Sequence, residues 1–216
     1  IGQNVRIGDN TVIYDNVVIE DNSTIANNCS IGEPVKEFYS SEDYDNPATI
    51  IGQNALIRSN TIIYANVSVG TNLETGHRCI IREASEIGNH CSIGTSCDLQ
   101  GNLEIGDYCR LHSSVHIGQK STLGNYVFVY PYVVLANDKY PPSHEIMGPK
   151  IGDYTQIGVH SVIIGDVQLG ANCVIGAQST ITKSYSEFSF VLGSPAKRIS
   201  DVREITSEDK NQLYPW

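Results

Sequence analysis

The chain has 216 residues, with 24 acidic side chains against 14 Lys and Arg and a formal net charge of −10. This balance argues against a nucleic-acid partner, because binding phosphates requires clustered positive charge. No stretch is apolar for the roughly 18 residues of a membrane-spanning helix, and none has the pattern of a signal peptide. The length suits one or two domains.

Aliphatic residues recur at every sixth position along most of the chain. The register covers residues 1–31, resumes over 51–135 and resumes again over 151–181. Only Thr75 departs from the aliphatic type at this position. A fixed period of this kind indicates a solenoid in which each repeat forms one structural unit.

The other positions of the repeat alternate as in a short strand followed by a corner. The fourth residue after the aliphatic one is small or apolar, and strand residues two apart point the same way, so both should face inward. Most of the 19 glycines directly follow the aliphatic residue, and Asn often stands three residues after it. Both tolerate the left-handed backbone of a sharp corner. Three hexapeptides should therefore form one triangular coil, and successive coils should stack about 4.8 Å apart, the ordinary distance between paired strands.

The alternative fold is a β-sandwich of alternating strands, which predicts turn signals every 8–12 residues at varying lengths. The fixed six-residue period does not fit it. The pattern resembles the bacterial hexapeptide-repeat transferases over residues 1–181. This resemblance implies an all-β fold, a left-handed parallel β-helix, although crossovers between parallel strands are usually right-handed. Periodicity alone does not show the hand.

Two segments interrupt the register and a third follows it. Residues 33–49 are acidic and aromatic, and residues 136–150 contain three prolines. Insertions in a solenoid project as loops from a corner, often at the binding face. For the first loop, surface elaboration and function are equally open, whereas the second is predicted to be functional. The β-helix is predicted to occupy 1–187, and 188–216 should form a short cap over the open strand edge.

All six cysteines occupy the small inward position of the repeat. They are Cys29, Cys79, Cys91, Cys97, Cys109 and Cys173. Free cysteine behaves as a small hydrophobic residue, so a packing role is predicted. No spacing suggests zinc or a disulfide framework, and buried reduced thiols suit a cytoplasmic protein.

Two histidines depart from the pattern of the repeat. His112 stands where glycine is usual, and His116 directly precedes an aliphatic position, so both should point outward on either side of the corner 113–114. Gly76 and Gly94 precede His112 at the period of one coil, which predicts a shallow glycine groove beside the imidazole. A linear ligand would contact backbone there. An exposed histidine without function is the alternative.

The segment after the last repeat, 191–198, reads VLGSPAKR. It resembles the G-[ST/N]-P-A-K motif that follows the last coil in acetyltransferases of the hexapeptide superfamily. The resemblance implies acetyl-coenzyme A as co-substrate, no metal, and cationic side chains at its phosphates. The implied cofactor-binding residues are Gly158, Gly176, Ala177, Gly193, Ser194, Pro195, Lys197 and Arg198.

A narrower likeness rests on TGHRCIIRE at 75–83, with LHSSVHIG and LANDKYP. These stretches resemble transferases that acylate an amino group on a nucleotide-linked deoxy sugar, which bacteria use in surface polysaccharides. The likeness implies a homotrimer with the sugar between subunits, near loop 136–150. The implied substrate-binding residues are His77, Ser113, Ser114, Asp138 and Tyr140. Relatives often have Gln in place of His112, so attack by an already deprotonated amine is also open.

The predicted reaction is direct acyl transfer from a thioester to an amine. Imidazole ordinarily titrates near pH 6.5 and accepts a proton at neutral pH. We predict His112 as the base, with His116 as a second candidate, and a backbone N–H that stabilises the thioester oxygen. Three alternatives stay open: acylation of a sugar or serine hydroxyl, a γ-type carbonic anhydrase with zinc on three histidines between subunits, and a non-catalytic scaffold.

Overall fold

Short strands and the corners that join them make up most of the computed structural model, which describes residues 1–206. Five strands precede the first insertion: β1 (Arg6–Ile7), β2 (Val12–Ile13), β3 (Val17–Ile19), β4 (Thr24–Ile25) and β5 (Ser30–Glu33). Fifteen lie between the insertions: β6 (Thr49–Ile51), β7 (Leu56–Ile57), β8 (Ile62–Tyr64), β9 (Val67–Val69), β10 (Glu74–Thr75), β11 (Ile80–Ile81), β12 (Ser85–Ile87), β13 (Ser92–Ile93), β14 (Asp98–Leu99), β15 (Leu103–Ile105), β16 (Arg110–Leu111), β17 (His116–Ile117), β18 (Thr122–Leu123), β19 (Phe128–Val129) and β20 (Val134–Leu135). Eight follow the second: β21 (Lys150–Ile151), β22 (Gln156–Ile157), β23 (Val162–Ile163), β24 (Gln168–Leu169), β25 (Val174–Ile175), β26 (Thr180–Ile181), β27 (Ser189–Gly193) and β28 (Ala196–Asp201).

Two short 3-10 helices, Lys36–Tyr39 and Val202–Glu204, are the helical elements within residues 1–206. No helix in this range has the length and apolar character needed to cross a membrane.

Three sheets form the faces of a triangular solenoid. Face A has the order β1-β4-β7-β10-β13-β16-β19-β22-β25-β27-β28. Face B contains every third strand from β2 to β26, and face C contains every third strand from β3 to β24. Strands of adjacent coils pair in parallel, so that β16 lies between β13 and β19. The solenoid is a left-handed parallel β-helix, as predicted.

The core is a column of aliphatic side chains inside the triangle. Each strand alternates, so that Leu56 of β7 points outward and is half-buried whereas Ile57 is fully buried. The inward position of the repeat is equally buried in Ile63, Ile81, Leu99, Ile117 and Leu135. Full burial of such a side chain contributes about 1.5–3 kcal/mol, so the six-residue pattern itself accounts for the core.

The corners have left-handed backbone at the third residue after the aliphatic one, as the sequence predicted. The φ angle is 57° at Asn54, His90 and Tyr126. The expectation for the adjacent glycines was wrong: among described glycines that directly follow the sixth-position aliphatic residue of the repeat, only Gly32 has a positive φ. A Cβ at Gly106 would instead lie 2.7 Å from the backbone carbon of Gly124 in the next coil. Close approach between coils, and not backbone conformation, therefore requires glycine there.

Replacing Gly106 with Ala should lower the free energy of unfolding by about 1–3 kcal/mol, because the opposing backbone cannot move aside. Urea denaturation measures this difference. Glu20 occupies the same position of an earlier repeat without glycine, so Glu20→Ala should change stability by less than about 0.5 kcal/mol. Equal stability of the two variants would contradict the packing explanation.

The cysteines are all buried and free, as predicted, and they also hydrogen-bond. The Cys109 Sγ lies 3.0 Å from the Gly124 carbonyl oxygen, and the Cys97 Sγ lies 3.0 Å from the carbonyl of His112. Ser161 makes the same contact through its hydroxyl at 3.0 Å. A small donor at this position can therefore hydrogen-bond to the next coil. Desolvation by burial raises the pKa of the Cys97 thiol to about 12, which keeps it protonated and unreactive at neutral pH.

Both insertions project from the corner between faces B and C. They span 34–48 and 136–149, because the terminal residues predicted for the loops belong to β5, β6 and β21. Asn46 anchors the first: its side chain donates to the Gly32 carbonyl at 2.9 Å and accepts from the Tyr44 hydroxyl at 2.8 Å. The loops therefore share one edge of the prism, separated by several coils.

The C-terminal segment continues the solenoid before it covers the end. β27 pairs in parallel with β25 on face A, and β28 then turns back antiparallel along β27. A cap was predicted for 188–216, and the described part of it has this form. Residues 207–216 lie outside the described residues.

Candidate functional site

The corner between faces A and B stacks one residue of each coil in a single column. From the fourth coil onward the column contains Gly76, Gly94, His112, Tyr130, Gly158 and Gly176, each directly following a face A strand. The structure thus aligns His112 with the two glycines predicted to precede it. It also adds a feature that was not predicted, because the Tyr130 ring stands between His112 and the later glycines.

His112 is exposed and bordered by aromatic rings. Its imidazole meets Phe128 edge-on, with centroids 5.6 Å apart, and lies nearly parallel to Tyr130 at 6.1 Å. Neither ring nitrogen of His112 has a hydrogen-bond partner within residues 1–206. Ser114 has the left-handed φ of 60° expected for the corner. The imidazole is therefore held by packing while both nitrogens are open to a ligand.

His116 lies on the other side of this corner, on face B. Its Nδ1 is 3.0 Å from Oδ2 of Asp98, and Oδ1 of Asp98 accepts from Gln100 Nε2 at 2.7 Å. The carboxylate orients the imidazole and leaves Nε2 free. Asp98 was not among the predicted site residues. The sequence could have indicated Asp98, because Asp98 precedes His116 by one coil at the same position of the repeat.

His77 lies on the same corner as His112, two coils earlier. Its side chain is exposed, and its backbone N–H donates to Thr95 Oγ1 at 3.2 Å. The equivalent N–H of Ser113 has no acceptor among the described residues, because the next coil carries Pro131 where Thr95 stands. An unpaired backbone donor therefore lies directly beside His112.

Asp138 and Tyr140 lie in the second loop, on the corner between faces B and C. The Asp138 carboxylate accepts from the Ser143 backbone N–H at 2.9 Å, the Ser143 hydroxyl at 2.8 Å and the Tyr140 N–H at 3.0 Å. The Ser143 backbone hydrogen bond is the main cause that lowers the pKa of Asp138. Tyr140 is 76% exposed. Within one subunit, face B separates both residues from His112.

The predicted cofactor turn packs against the last coils of the A/B corner. The Gly193 N–H donates to Ser179 Oγ at 3.1 Å, and the Ser194 hydroxyl lies 2.8 Å from that of Thr180. A Cβ at Gly176 would collide with Leu192 of this segment. The structure therefore brings the turn that contains Gly193 together with Gly176.

The remaining predicted cofactor residues are close by in the fold. A Cβ at Gly158 would lie 2.7 Å from the backbone nitrogen of Ala177, so these two pack across adjacent coils. Pro195 and Lys197 are exposed on the turn and the strand that follows. The Arg198 guanidinium contacts Asp201 at 3.4 Å and is only partly free for a ligand.

One subunit brings no three His, Cys, Asp or Glu side chains together in a group suited to a metal ion, within the part of the chain that the structure describes.

Known proteins share this architecture and its repeat. The family model described as bacterial transferase hexapeptide (six repeats) matches residues 1–33 and 148–183. The chain is built from hexapeptide repeats of this kind. This hexapeptide-repeat protein is 34% identical over 101 residues to the galactoside O-acetyltransferase of Escherichia coli (strain K12), covering 43% of the chain and 48% of the relative. It thus spans about half the length of that relative.

Two solved structures resemble the hexapeptide-repeat protein over most of its length. LpxA from Acinetobacter baumannii has a TM-score of 0.61 at 21% identity, over 90% of this chain and 74% of that one. The UDP-N-acetylglucosamine acyltransferase from Campylobacter jejuni has a TM-score of 0.55 at 16% identity, over 92% and 79%. At these identities the likeness shows the fold.

Proposed function

We propose that the protein is a coenzyme-A-dependent acyltransferase that moves an acetyl or related acyl group to the amine of a nucleotide-linked amino deoxy sugar. The observation that carries this proposal is the column at the A/B corner, which joins His112 to the turn 193–198. The sugar product would serve surface polysaccharide synthesis in the cytoplasm.

The column provides a track for a long, thin co-substrate. Three coil steps separate His112 from Gly176, as the face A pairings from β16 to β25 count them. At about 4.8 Å per step they span about 14 Å. A coenzyme A molecule along this track would have its phosphates near Lys197 and its arm over Gly158, and it would pass the Tyr130 ring to bring its thioester beside His112.

The residues at the start of the track support acyl transfer. The acceptor nitrogen forms a bond to the thioester carbonyl carbon, the C–S bond breaks, and coenzyme A leaves as the thiol. His112 takes the proton that the amine loses, and the proton then passes to the departing sulfur. The unpaired Ser113 N–H is available to the carbonyl oxygen as negative charge develops on it.

A homotrimer would complete the site. Asp138 and Tyr140 lie on the B/C corner of their own subunit, away from His112. A neighbouring subunit would place its second loop, 136–149, beside the A/B corner. The Asp138 hydrogen bonds hold that loop in one conformation, which suits a role in positioning the sugar between subunits.

Purified protein incubated with acetyl-coenzyme A and a panel of nucleotide-linked 3-amino and 4-amino deoxy sugars should release thiol, which a chromogenic disulfide reagent measures. The same sugars with hydroxyl in place of the amine are the matched control and should release none. Absence of thiol release across the panel, together with absence of coenzyme A binding by calorimetry, would overturn the proposal.

A second candidate is transfer to a sugar hydroxyl, which the likeness to a galactoside O-acetyltransferase favours. A hydroxyl is a poorer nucleophile than a neutral amine and depends more strongly on a protein base. Thiol release with the hydroxyl sugars and not with the amino sugars would favour this second candidate.

A further inference from the structure

An aromatic trough lies on face A directly beside His112. It encloses about 390 Å³ and is lined by Tyr126, Phe128, Tyr130, Tyr154 and Gln156. Phe128 and Gln156 occupy the outward positions of adjacent strands, β19 and β22, and form its floor. Tyr126 and Tyr154 form one wall on the C/A corner, and Tyr130 forms the other wall on the A/B corner.

The rings of the trough are held in place by one another. Tyr126 and Tyr154 stack with centroids 4.8 Å apart and planes within 5°, and Tyr108 extends the stack on the other side of Tyr126. Phe128 stands at 83° to Tyr130, with centroids 4.6 Å apart. A planar ring laid on Phe128 would therefore meet Tyr130 edge-on, which is a favoured aromatic arrangement.

The three tyrosines of the trough keep a large exposed surface within one subunit. Tyr126 is 45% exposed, Tyr130 39% and Tyr154 38%. Their polar ends and the amide of Gln156 line an otherwise apolar trough. Ligand sites commonly combine apolar walls with a few polar groups of this kind.

A positive charge lies at one end of the trough. Arg110 is the strand partner of Phe128, one coil earlier on face A, and its side chain points outward. It forms no ion pair or side-chain hydrogen bond within residues 1–206. Guanidinium groups bind phosphate in bidentate fashion. An aromatic ring with an anionic group attached would satisfy both the trough and Arg110.

We infer that this trough binds the nucleoside diphosphate part of the acceptor, with the base on Phe128 and a phosphate at Arg110. The inference rests on the proposed function, because it places the acceptor on face A, beside the coils whose A/B corner would carry coenzyme A. His112 adjoins both: it shares the column with Gly158 and meets Phe128 of the trough edge-on. The sugar amine would thus reach the imidazole from face A, and the thioester from the adjoining A/B corner.

Coenzyme A also contains a nucleoside diphosphate, and the experiment must separate the two sources. Binding of uridine diphosphate and thymidine diphosphate, without sugar or cofactor, should be measured by isothermal titration calorimetry. Arg110→Gln and Phe128→Leu should each raise the dissociation constant at least tenfold. The affinity for coenzyme A should change less than twofold in both variants.

Face A supplies matched controls. Arg6 and Leu56 occupy the same outward position of earlier coils. Arg6→Gln and Leu56→Ala remove equivalent groups away from the trough and should leave nucleotide affinity within twofold. Circular dichroism establishes that each variant is folded.

Three results would overturn the inference: neither nucleotide binds, Arg110→Gln and Phe128→Leu bind as tightly as the unmodified protein, or coenzyme A competes with the nucleotide for one site. Neither of the first two results depends on acyl transfer. If the nucleotide binds as expected and no thiol is released in the activity assay, the nucleotide site in the trough is supported and the proposed activity is contradicted.

Discussion

Replacing His112 with Ala should lower kcat for acyl transfer by a factor of about 10²–10⁴, the usual contribution of a general base. The reason is positional: the ring stands at the junction of the glycine column and the aromatic trough, and both nitrogens lack partners within residues 1–206. Steady-state kinetics with acetyl-coenzyme A and an amino sugar nucleotide measure the effect. The KM for coenzyme A should change little, because the proposed track would contact coenzyme A mainly through backbone.

His90→Asn is the matched control, since Asn is the residue most often found at that corner and tolerates its left-handed backbone. It should retain kcat within about twofold of the unmodified protein. A loss of less than about threefold in His112→Ala would remove His112 from the mechanism.

The pair formed by His116 and Asp98 allows the second base candidate to be tested separately. If His116 were the base, Asp98→Asn would lower kcat, because the amide could no longer stabilise the imidazolium through Nδ1. With His112 as the base, we expect Asp98→Asn to retain most of the activity. The two variants together therefore assign the proton acceptor.

Replacing Ile57 with Ala should lower the free energy of unfolding by about 2–5 kcal/mol, the usual cost of truncating a fully buried aliphatic side chain. Ile57 is stacked between the inward residues Ile25 and Thr75 of the adjacent coils. The cavity left by the substitution therefore cannot close without disturbing the stacking of these coils. Urea denaturation at fixed protein concentration measures the loss.

Leu56→Ala removes a side chain of the same size from the adjacent position of β7. Because Leu56 points outward and is only half-buried, its loss should be less than half as large. Similar losses for the two variants would contradict the inward and outward alternation on which the core assignment depends.

Most of the fold was predictable because the repeat is local. Each hexapeptide contains its own inward residues and its own corner, so that positions such as Ile57 and Asn54 could be assigned without knowing any distant contact. The interruptions were located to within one residue for the same reason. The purpose of the glycines was less accessible, since it depends on how closely the next coil approaches.

The candidate site was predictable where it follows the period and missed where it depends on side-chain direction. The alignment of Gly76, Gly94 and His112 follows from counting coils. The link between Asp98 and His116 follows from the same count but requires two side chains to turn toward each other. The aromatic trough was missed because its walls come from two different corners.

The sequence by itself therefore determined the solenoid, its corners and the column that contains His112, because a six-residue period specifies which residues are stacked. Only the tertiary structure decided what surrounds that column: the Tyr130 ring within it, the unpaired Ser113 N–H, and the trough against Phe128. These depend on the rotation of side chains about their own bonds and on contacts across a face, neither of which a repeat encodes.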